Sequence, residues 1–356
     1  MSRKAVRIGI ASFAHYHANF WAEAVIAAPN VDLVGIWDED TDRGKAAAEK
    51  YGTKFFADLE ALLERCNGLG ITSETSKHAE LVEKAATAGV NVLLEKPMAR
   101  NLEESIRIAQ AVEQSKILFM QNFPKRYDPI NHELLRILRS EKLGKIALIR
   151  IRHGNSHLRE LGSKAKDEWY GIPELSGGGA LIDEGTHALD MFVWFFGVPE
   201  RVYAMVSSDS LGLPVEDTAV IQLRYGSGML AEISSSNTFV AGQDSVEVYG
   251  TDGTAIVRGV DLASRDFAKA PYLRYYIRGN EAGKWTETNV VPQFLLGRFH
   301  HQGPELFIKC LSRENESPVV GLEESLLTMS VLDACYRSVN SGAAETILPY
   351  PGERKY

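Results

Sequence analysis

Chemistry in this chain is concentrated in a few short stretches. One is Val92-Leu-Leu-Glu95-Lys96-Pro97, where a charged pair ends an apolar run. A lysine held in such a place can donate to a developing negative oxygen, or carry a proton if its pKa is depressed. The plainer reading is a surface ion pair. The following proline constrains the turn and admits a cis peptide bond. A second stretch is Ser176-Gly177-Gly178-Gly179-Ala-Leu-Ile-Asp183-Glu-Gly185-Thr-His187-Ala-Leu-Asp190. Asp183 and His187 are four apart, so on a helix they face the same way. The pair suits acid–base work, two metal ligands, or a capping aspartate beside a core histidine. A metal needs a third ligand and no HExxH-like set is present, so no metal is expected.

The amino-terminal stretch Gly9-Ile-Ala11-Ser12-Phe13-Ala14 lies at a strand-to-helix turn. A dinucleotide fold usually carries GxGxxG there, for a tight turn, close approach to a pyrophosphate and close helix packing. Only the first position is glycine and the others are alanine, so the motif alone does not separate a dinucleotide site from an ordinary βα turn. Asp38 adds to it by ending the next strand, Val34-Gly-Ile-Trp37-Asp38, where a carboxylate can accept from a ribose diol. Its alternative is membership of an acidic cluster (Asp38, Glu39, Asp40, Asp42) that caps the next helix.

These residues need elements to position them. Up to about residue 122, apolar runs alternate with helical patterns: strands Val6–Ala11, Val31–Trp37, Gly68–Thr72, Val90–Glu95 and Ile117–Asn122, and helices His15–Ala28, Thr41–Tyr51, Ala57–Cys66, Ser76–Ala88 and Asn101–Gln114. Thr41 is placed to cap one helix, and Asn101 with Glu104 forms a capping-box-like start for another. Such alternation means βαβ units and a parallel, doubly wound sheet. After a helix over Pro129–Ser140 the pattern changes. Strand-like runs at Lys145–His153, Arg201–Ser207, Thr218–Tyr225, Met229–Ser236, Ser245–Tyr249 and Thr254–Val260 imply a large, open, mostly antiparallel sheet. One helix opens near Gly179 and runs to Phe196, and helices over Gly303–Ser312 and Leu322–Ser341 close the chain. The expected organisation is a Rossmann domain over 1–123 and an α+β domain over 124–356, with the last helix free to pack back on the first domain.

Bulk properties narrow the partners. The net charge of -8 and the lack of a Lys/Arg-dense run make a nucleic-acid partner unexpected. No apolar stretch is long enough to span a bilayer, and the start, Met1 to Ile10, is interrupted by Arg7 and lacks a signal-peptide core. Cys66, Cys310 and Cys335 form no CxxC or zinc pattern, which suits a reducing compartment. A cytoplasmic protein is expected.

The Glu95-Lys96-Pro97 turn resembles the EKP motif of the Gfo/Idh/MocA oxidoreductases, the family of glucose–fructose oxidoreductase and inositol dehydrogenases. The Gly177–Asp190 stretch looks like the family's GG-x-L-x-D-x-G-x-H-x-x-D signature, and both occur in family order. Softer matches are His17 in the first helix, His78 after the third strand, Lys125-Arg126-Tyr127-Asp128, and Glu216-Asp217-Thr218. Departures are Ala11 and Ala14 for motif glycines, Ser73-Glu74-Thr75 for a Thr-Pro-Asn-like turn, and Asn122 and Pro124 in the GFNRR-type stretch.

The resemblance implies a nicotinamide-dependent oxidoreductase acting on a hydroxyl-bearing carbon of a sugar-like or cyclitol-like substrate. NAD is expected over NADP because Asp38 would repel a 2′-phosphate; Arg43 and Lys45 are the nearby cations that oppose this, Arg43 foremost, and its place in a helix start disfavours such a clamp. The resemblance gives Lys96, Asp183 and His187 as catalytic residues, Lys96 holding the reacting oxygen and His187, tuned by Asp183, taking the proton. Cofactor contacts are expected from Gly9, Ala11, Ser12, Phe13, Ala14, Asp38, Ser73, His78, Glu95, Lys96 and Asn122. Substrate contacts are expected from Lys96, His157, Trp169, Asp183 and His187, with Tyr170 beside them. It also implies a homo-oligomer, dimer or tetramer, through the carboxy-terminal sheet. The alternatives are an NAD-dependent glycoside hydrolase of related architecture, a dinucleotide-binding regulator without turnover, or reduction of a dihydrodiol, imine-like or biliverdin-like compound.

Overall fold

The computed structural model describes residues 6–240, 245–259, 269–279, 283–312 and 317–349. Met1 to Ala5 and Val260, which belong to expected elements, lie outside them. The chain forms two compact units, Met1–Pro124 with Arg298–Leu326, and Lys125–Gly297 with Leu327–Tyr356.

The first unit runs β1 (Val6–Ala11), α1 (His17–Ala27), β2 (Val31–Trp37), α2 (Thr41–Lys50), β3 (Phe55–Phe56), α3 (Leu59–Leu63), β4 (Gly68–Ile71), α4 (His78–Thr87), β5 (Asn91–Leu94), α5 (Leu102–Ser115) and β6 (Phe119–Gln121). The six strands are parallel in the order β3-β2-β1-β4-β5-β6. Helices cover both faces, so β4 and β6 are buried at every residue and β1 at all but Arg7. The order reverses between β1 and β4, and the crevice at their carboxyl ends is where such sheets take ligands. The short strand β3 had no signal in the sequence pattern; it pairs with Ile36 and Trp37.

Two helix starts differ in detail from expectation. Asp40, not Thr41, caps α2, accepting from the backbone N–H of Asp42 and Arg43. An aspartate one residue earlier reaches two orphan donors, which leaves Thr41 as the first helical residue. Asn101 caps α5 through the Glu104 N–H as expected, but Glu104 returns its carboxylate to Arg100 rather than to Asn101.

The second unit contains α6 (Pro129–Arg139), β7 (Ile146–Gly154), α7 (His157–Leu161), α8 (Pro173–Ser176), a π-helical turn (Leu181–Gly185), α9 (Thr186–Phe196), β8 (Arg201–Ser207), β9 (Thr218–Arg224), β10 (Leu230–Ser236), β11 (Ser245–Gly250), β12 (Gly253–Val257), β13 (Leu273–Ile277) and β14 (Thr286–Glu287). Then α10 (Gln302–Ser312) belongs to the first unit, α11 (Leu322–Ser341) begins there and continues in the second, and β15 (Glu345–Thr346) ends the described chain. The nine strands are ordered β14-β13-β12-β11-β7-β10-β9-β8-β15. All neighbours are antiparallel except β7 and β10, which run parallel because β10 enters beside β7 rather than beyond it. Strands β13 to β15 were not legible beforehand. Residues alternate along β7, β9 and β10, with Ile149, Ile151, Ile221 and Ile233 buried on one face. Among the described residues no helix is long and apolar enough to cross a membrane.

Candidate active site

In the first unit the turn after β1 is displaced from the expected motif. Gly9 and Ala11 are strand residues, and the turn begins at Ser12, whose φ of 74° is left-handed. That conformation normally selects glycine. Counted from it, GxGxxG spacing falls on Ser12, Ala14 and His17, so the third glycine position is occupied by a buried imidazole. Strand length is the physical reason, since the strand continues through Ala11 before the chain turns. Ser12 is held by its own N–H to the Trp37 carbonyl at 2.7 Å and by Thr72 Oγ1 donating to its carbonyl at 2.6 Å. Ala14 N–H donates to Ser12 Oγ.

Asp38 is buried and fully engaged. Its Oδ2 accepts from Phe13 N–H at 2.7 Å and Arg43 Nε at 2.8 Å, and its Oδ1 accepts from Asp40 N–H and from an Arg43 terminal nitrogen at 2.7 Å. Arg43 also reaches Ser12 Oγ and Glu74. From the third position of α2, the long Arg43 side chain folds back onto the strand end.

At the end of β5, Glu95 and Lys96 are buried, and the Lys96–Pro97 peptide is cis. Glu95 Oε1 accepts from Asn122 Nδ2 at 2.8 Å and lies 2.7 Å from His17 Nδ1, and Oε2 accepts from Lys96 N–H. Burial raises the Glu95 pKa, but His17, Lys96 and Asn122 outweigh that and hold it below the ordinary carboxyl value. His78 links two of these loops, Nδ1 facing the Pro97 carbonyl at 3.0 Å and Nε2 the Ser73 carbonyl at 3.3 Å. Burial, against those carbonyl contacts, lowers its pKa. The structure thus gathers Ser12, Phe13, Ala14 and Asp38 in one network and Ser73, His78, Glu95, Lys96 and Asn122 in another. Both follow carboxyl ends of strands. The N-cap residue of α1, Tyr16, offers no side-chain cap, and the first amides of the helix are met locally, His17 N–H by His15 Nδ1 and Ala18 N–H by the His15 carbonyl. A left-handed turn, small Ala14 and a strand-end carboxylate fit a dinucleotide, with His17 in place of the last glycine.

In the second unit the triple glycine makes a close approach possible. Gly177 and Gly178 have φ of 87° and 157°, and a Cβ on Gly179 would lie 1.9 Å from the Glu216 carbonyl oxygen. Glu216 holds the turn further, accepting from Leu181 N–H and from Tyr336 Oη. The chain then enters a π-turn, Leu181–Gly185, before α9. The single helix expected from Gly179 is corrected accordingly, since the wider turn changes which side chains share a face. Glu184, next to Asp183, lies 3.0 Å from His153 Nε2 and accepts from Asn155 Nδ2 at 2.7 Å. The rings of His153 and His187 are 5.3 Å apart, edge to face, and His153, Glu184 and His187 have ligand-type atoms within 4.8 Å of one another. His153 and Glu184 had not been singled out. Alternation along β7 could have put His153 on the buried face, whereas nothing in the spacing announces a π-turn.

Other matched residues have supporting places. Arg126 and Asp190 form a buried bidentate pair at 2.8–3.1 Å. Asp128 caps α6 and accepts from Gln293 N–H. His157, Trp169 and Tyr170 pack as rings, Trp169 stacked on Tyr170 at 3.8 Å and His157 edge-on to Tyr170 at 5.3 Å. Tyr170 also rests on a small core of Leu158, Ala165 and Val215.

Comparison with known proteins agrees with this architecture. Residues 3–123 match the oxidoreductase family with an NAD-binding Rossmann fold, and residues 132–256 match the GFO/IDH/MocA C-terminal domain. The chain belongs to the Gfo/Idh/MocA family and is a nicotinamide-dependent oxidoreductase. It is 28% identical over 322 residues to D-xylose 1-dehydrogenase (NADP(+)) 2 of Haloferax volcanii, covering 90% of this chain and 93% of that one. It is 27% identical to inositol 2-dehydrogenase of Rubrobacter xylanophilus, covering 90% and 86%. In fold it is similar to the WlbA dehydrogenase from Bordetella pertussis in complex with NADH and UDP-GlcNAcA, with a TM-score of 0.83, 21% identity, and 99% and 100% of the two chains covered.

Proposed function

We propose that this chain oxidises or reduces a hydroxyl-bearing carbon of a sugar, sugar derivative or cyclitol, with NAD preferred over NADP. The observation that carries the reading is Lys96, buried at the carboxyl end of β5 and fixed through its backbone to Glu95, on a chain that also carries Asp183 and His187 behind the glycine turn. Relatives named for D-xylose, D-apiose and inositol support the substrate class. The cofactor's nicotinamide would supply hydride exchange, and Ser12, Phe13, Ala14, Asp38, Ser73, His78, Glu95 and Asn122 would hold the dinucleotide as a whole.

The protein's own work is orientation and charge. Lys96 donates to the reacting oxygen and stabilises it as negative charge develops. His187 takes the hydroxyl proton in the oxidative direction, with Asp183 orienting it and the neighbouring His153–Glu184 pair bearing on its charge. His157 and Trp169 line the substrate side. In domain terms, the unit built from residues 1–123, which also takes in Arg298–Leu326, carries the cofactor, and the rest of 124–356 carries the substrate and a subunit interface. The outer face of the nine-stranded sheet supports that interface: it exposes Met205, Leu230 and Tyr249, with Arg150 pairing Glu232 and Glu247 among them. Three buried free thiols support a reducing, cytoplasmic setting.

The test is a panel of polyols, aldoses and cyclitols incubated with NAD or NADP while reduced cofactor is read by absorbance. Turnover on at least one is expected. Cofactor binding without any bulk reduction across the panel, or cleavage of a glycoside without net redox, would replace this reading.

A further inference from the structure

His15, His17, His78, His300 and His301, of the chain's nine histidines, belong to the first unit. His15 and His17 form an H-x-H step at the mouth of α1, and Glu95 reaches them from the end of β5. One nitrogen of each imidazole and one carboxylate oxygen lie within 4.8 Å of one another, and all three residues are buried. The His17 ring centroid is 4.1 Å from that of His15 and 3.9 Å from that of His300. The Asp183/His187 pair first drew attention as a possible metal pair; this cluster, in the first unit, offers the same donor set as His153, Glu184 and His187 in the second.

We propose that His15, His17 and Glu95 bind a divalent transition-metal ion of the zinc class. Two imidazoles and one carboxylate are a common donor set for such ions and a poor one for magnesium or calcium. His17 Nδ1 and Glu95 Oε1 are hydrogen-bonded at 2.7 Å. Ligand atoms ~2.1 Å from a tetrahedral ion are about 3.4 Å apart, so an opening of roughly 0.7 Å lets the ion take the place of that hydrogen bond. His15 Nδ1 accepts from His17 N–H at 3.1 Å, and that contact opens when the same lone pair turns to the ion. Asn122 Nδ2 and Lys96 N–H, each 2.8 Å from Glu95, already fix the carboxylate as outer partners of a ligand do. The Lys96 ammonium opposes a cation here, so affinity comes from the nitrogen donors.

The experiment uses the full chain with its purification tag removed and metal stripped by a chelator. Zinc chloride is titrated calorimetrically, and cobalt(II) is followed by its visible absorption. We expect one equivalent bound, with affinity falling more than about 100-fold in His17→Ala and in His15→Ala. His153→Ala, in the second unit's imidazole–carboxylate cluster, should bind as the parent does. Circular dichroism checks each fold, and His15→Gln is read if an alanine variant unfolds. No uptake by the parent chain, uptake indifferent to His15 and His17, or loss only in His153→Ala would each overturn the proposal.

Discussion

Lys96 and His187 are both buried, but different structural devices hold them. Lys96 follows a short strand that is apolar and buried beyond its first residue, Asn91, and its backbone N–H is tied to the preceding glutamate. Its place is set by sheet topology, which sequence periodicity reports well. His187 follows a glycine turn pressed against the Glu216 carbonyl and a π-turn that opens the helix by an extra residue. Its neighbours depend on local backbone geometry, which spacing reports poorly. A strand-end residue is therefore expected to fail alone when substituted, while His187 should fail together with its surroundings.

The largest effect expected is at that second device. His187→Ala or Asp183→Asn should lower turnover by ~10²–10⁴-fold, with the double variant little worse than the poorer single, because groups handling one proton are not additive. Steady-state rates on one active substrate check this. Losses that multiply would separate Asp183 from His187 and turn attention to Glu184 as the imidazole's partner.

Next in size is a stability effect beside the same helix. Asp190→Ala leaves Arg126 charged and buried, at a cost of roughly 3–5 kcal/mol. Adding Arg126→Met should recover much of it, since the stranded charge is then gone. Denaturant midpoints for the single and double variants test the pair, and a double variant no more stable than the single would show that Arg126 is not the source.

Lys96→Met is expected to lower turnover by ~10²–10³-fold, the scale for one preorganised donor, while cofactor binding measured by fluorescence stays near that of the parent. Near-normal turnover would remove Lys96 from the chemistry.

These contrasts follow what could and could not be read in advance. The βαβ order, the Asn101 cap and the Leu322–Ser341 helix were legible because hydrophobic period and capping chemistry act over a few residues. Lys96 was legible as a strand-end residue for the same reason. The turn after β1 was misplaced by three positions, since Gly9 drew the motif onto the strand and a serine took the left-handed φ instead. Two-residue strands such as β3 and β15 carry no period to detect. The His153–Glu184–His187 cluster depends on a widened turn and a sheet register, neither of which is local.

The smallest expected effect concerns cofactor choice, where the structure alters the argument that Asp38 alone makes. Two unit charges ~4 Å apart repel by ~4 kcal/mol at an effective dielectric of about 20, before salt screening, so an unpaired Asp38 would discriminate strongly against a 2′-phosphate. Asp38 is instead neutralised by the bidentate Arg43, while Glu74 on the same guanidinium leaves the group with a net negative charge. A preference for NAD of at least about tenfold in kcat/KM is expected from that residue of charge. Asp38→Ser removes a carboxylate and also frees Arg43, whose planar fork matches a phosphate, so NADP should gain about tenfold or more. Arg43→Ala acts in the opposite direction: Asp38 and Glu74 are left unneutralised, and NADP should lose further ground. Kinetics with both cofactors on one substrate decide between these charges. Equal efficiencies in the parent chain would mean that Arg43 leaves Asp38 for the phosphate, and the two substitutions would then no longer move the preference in opposite directions.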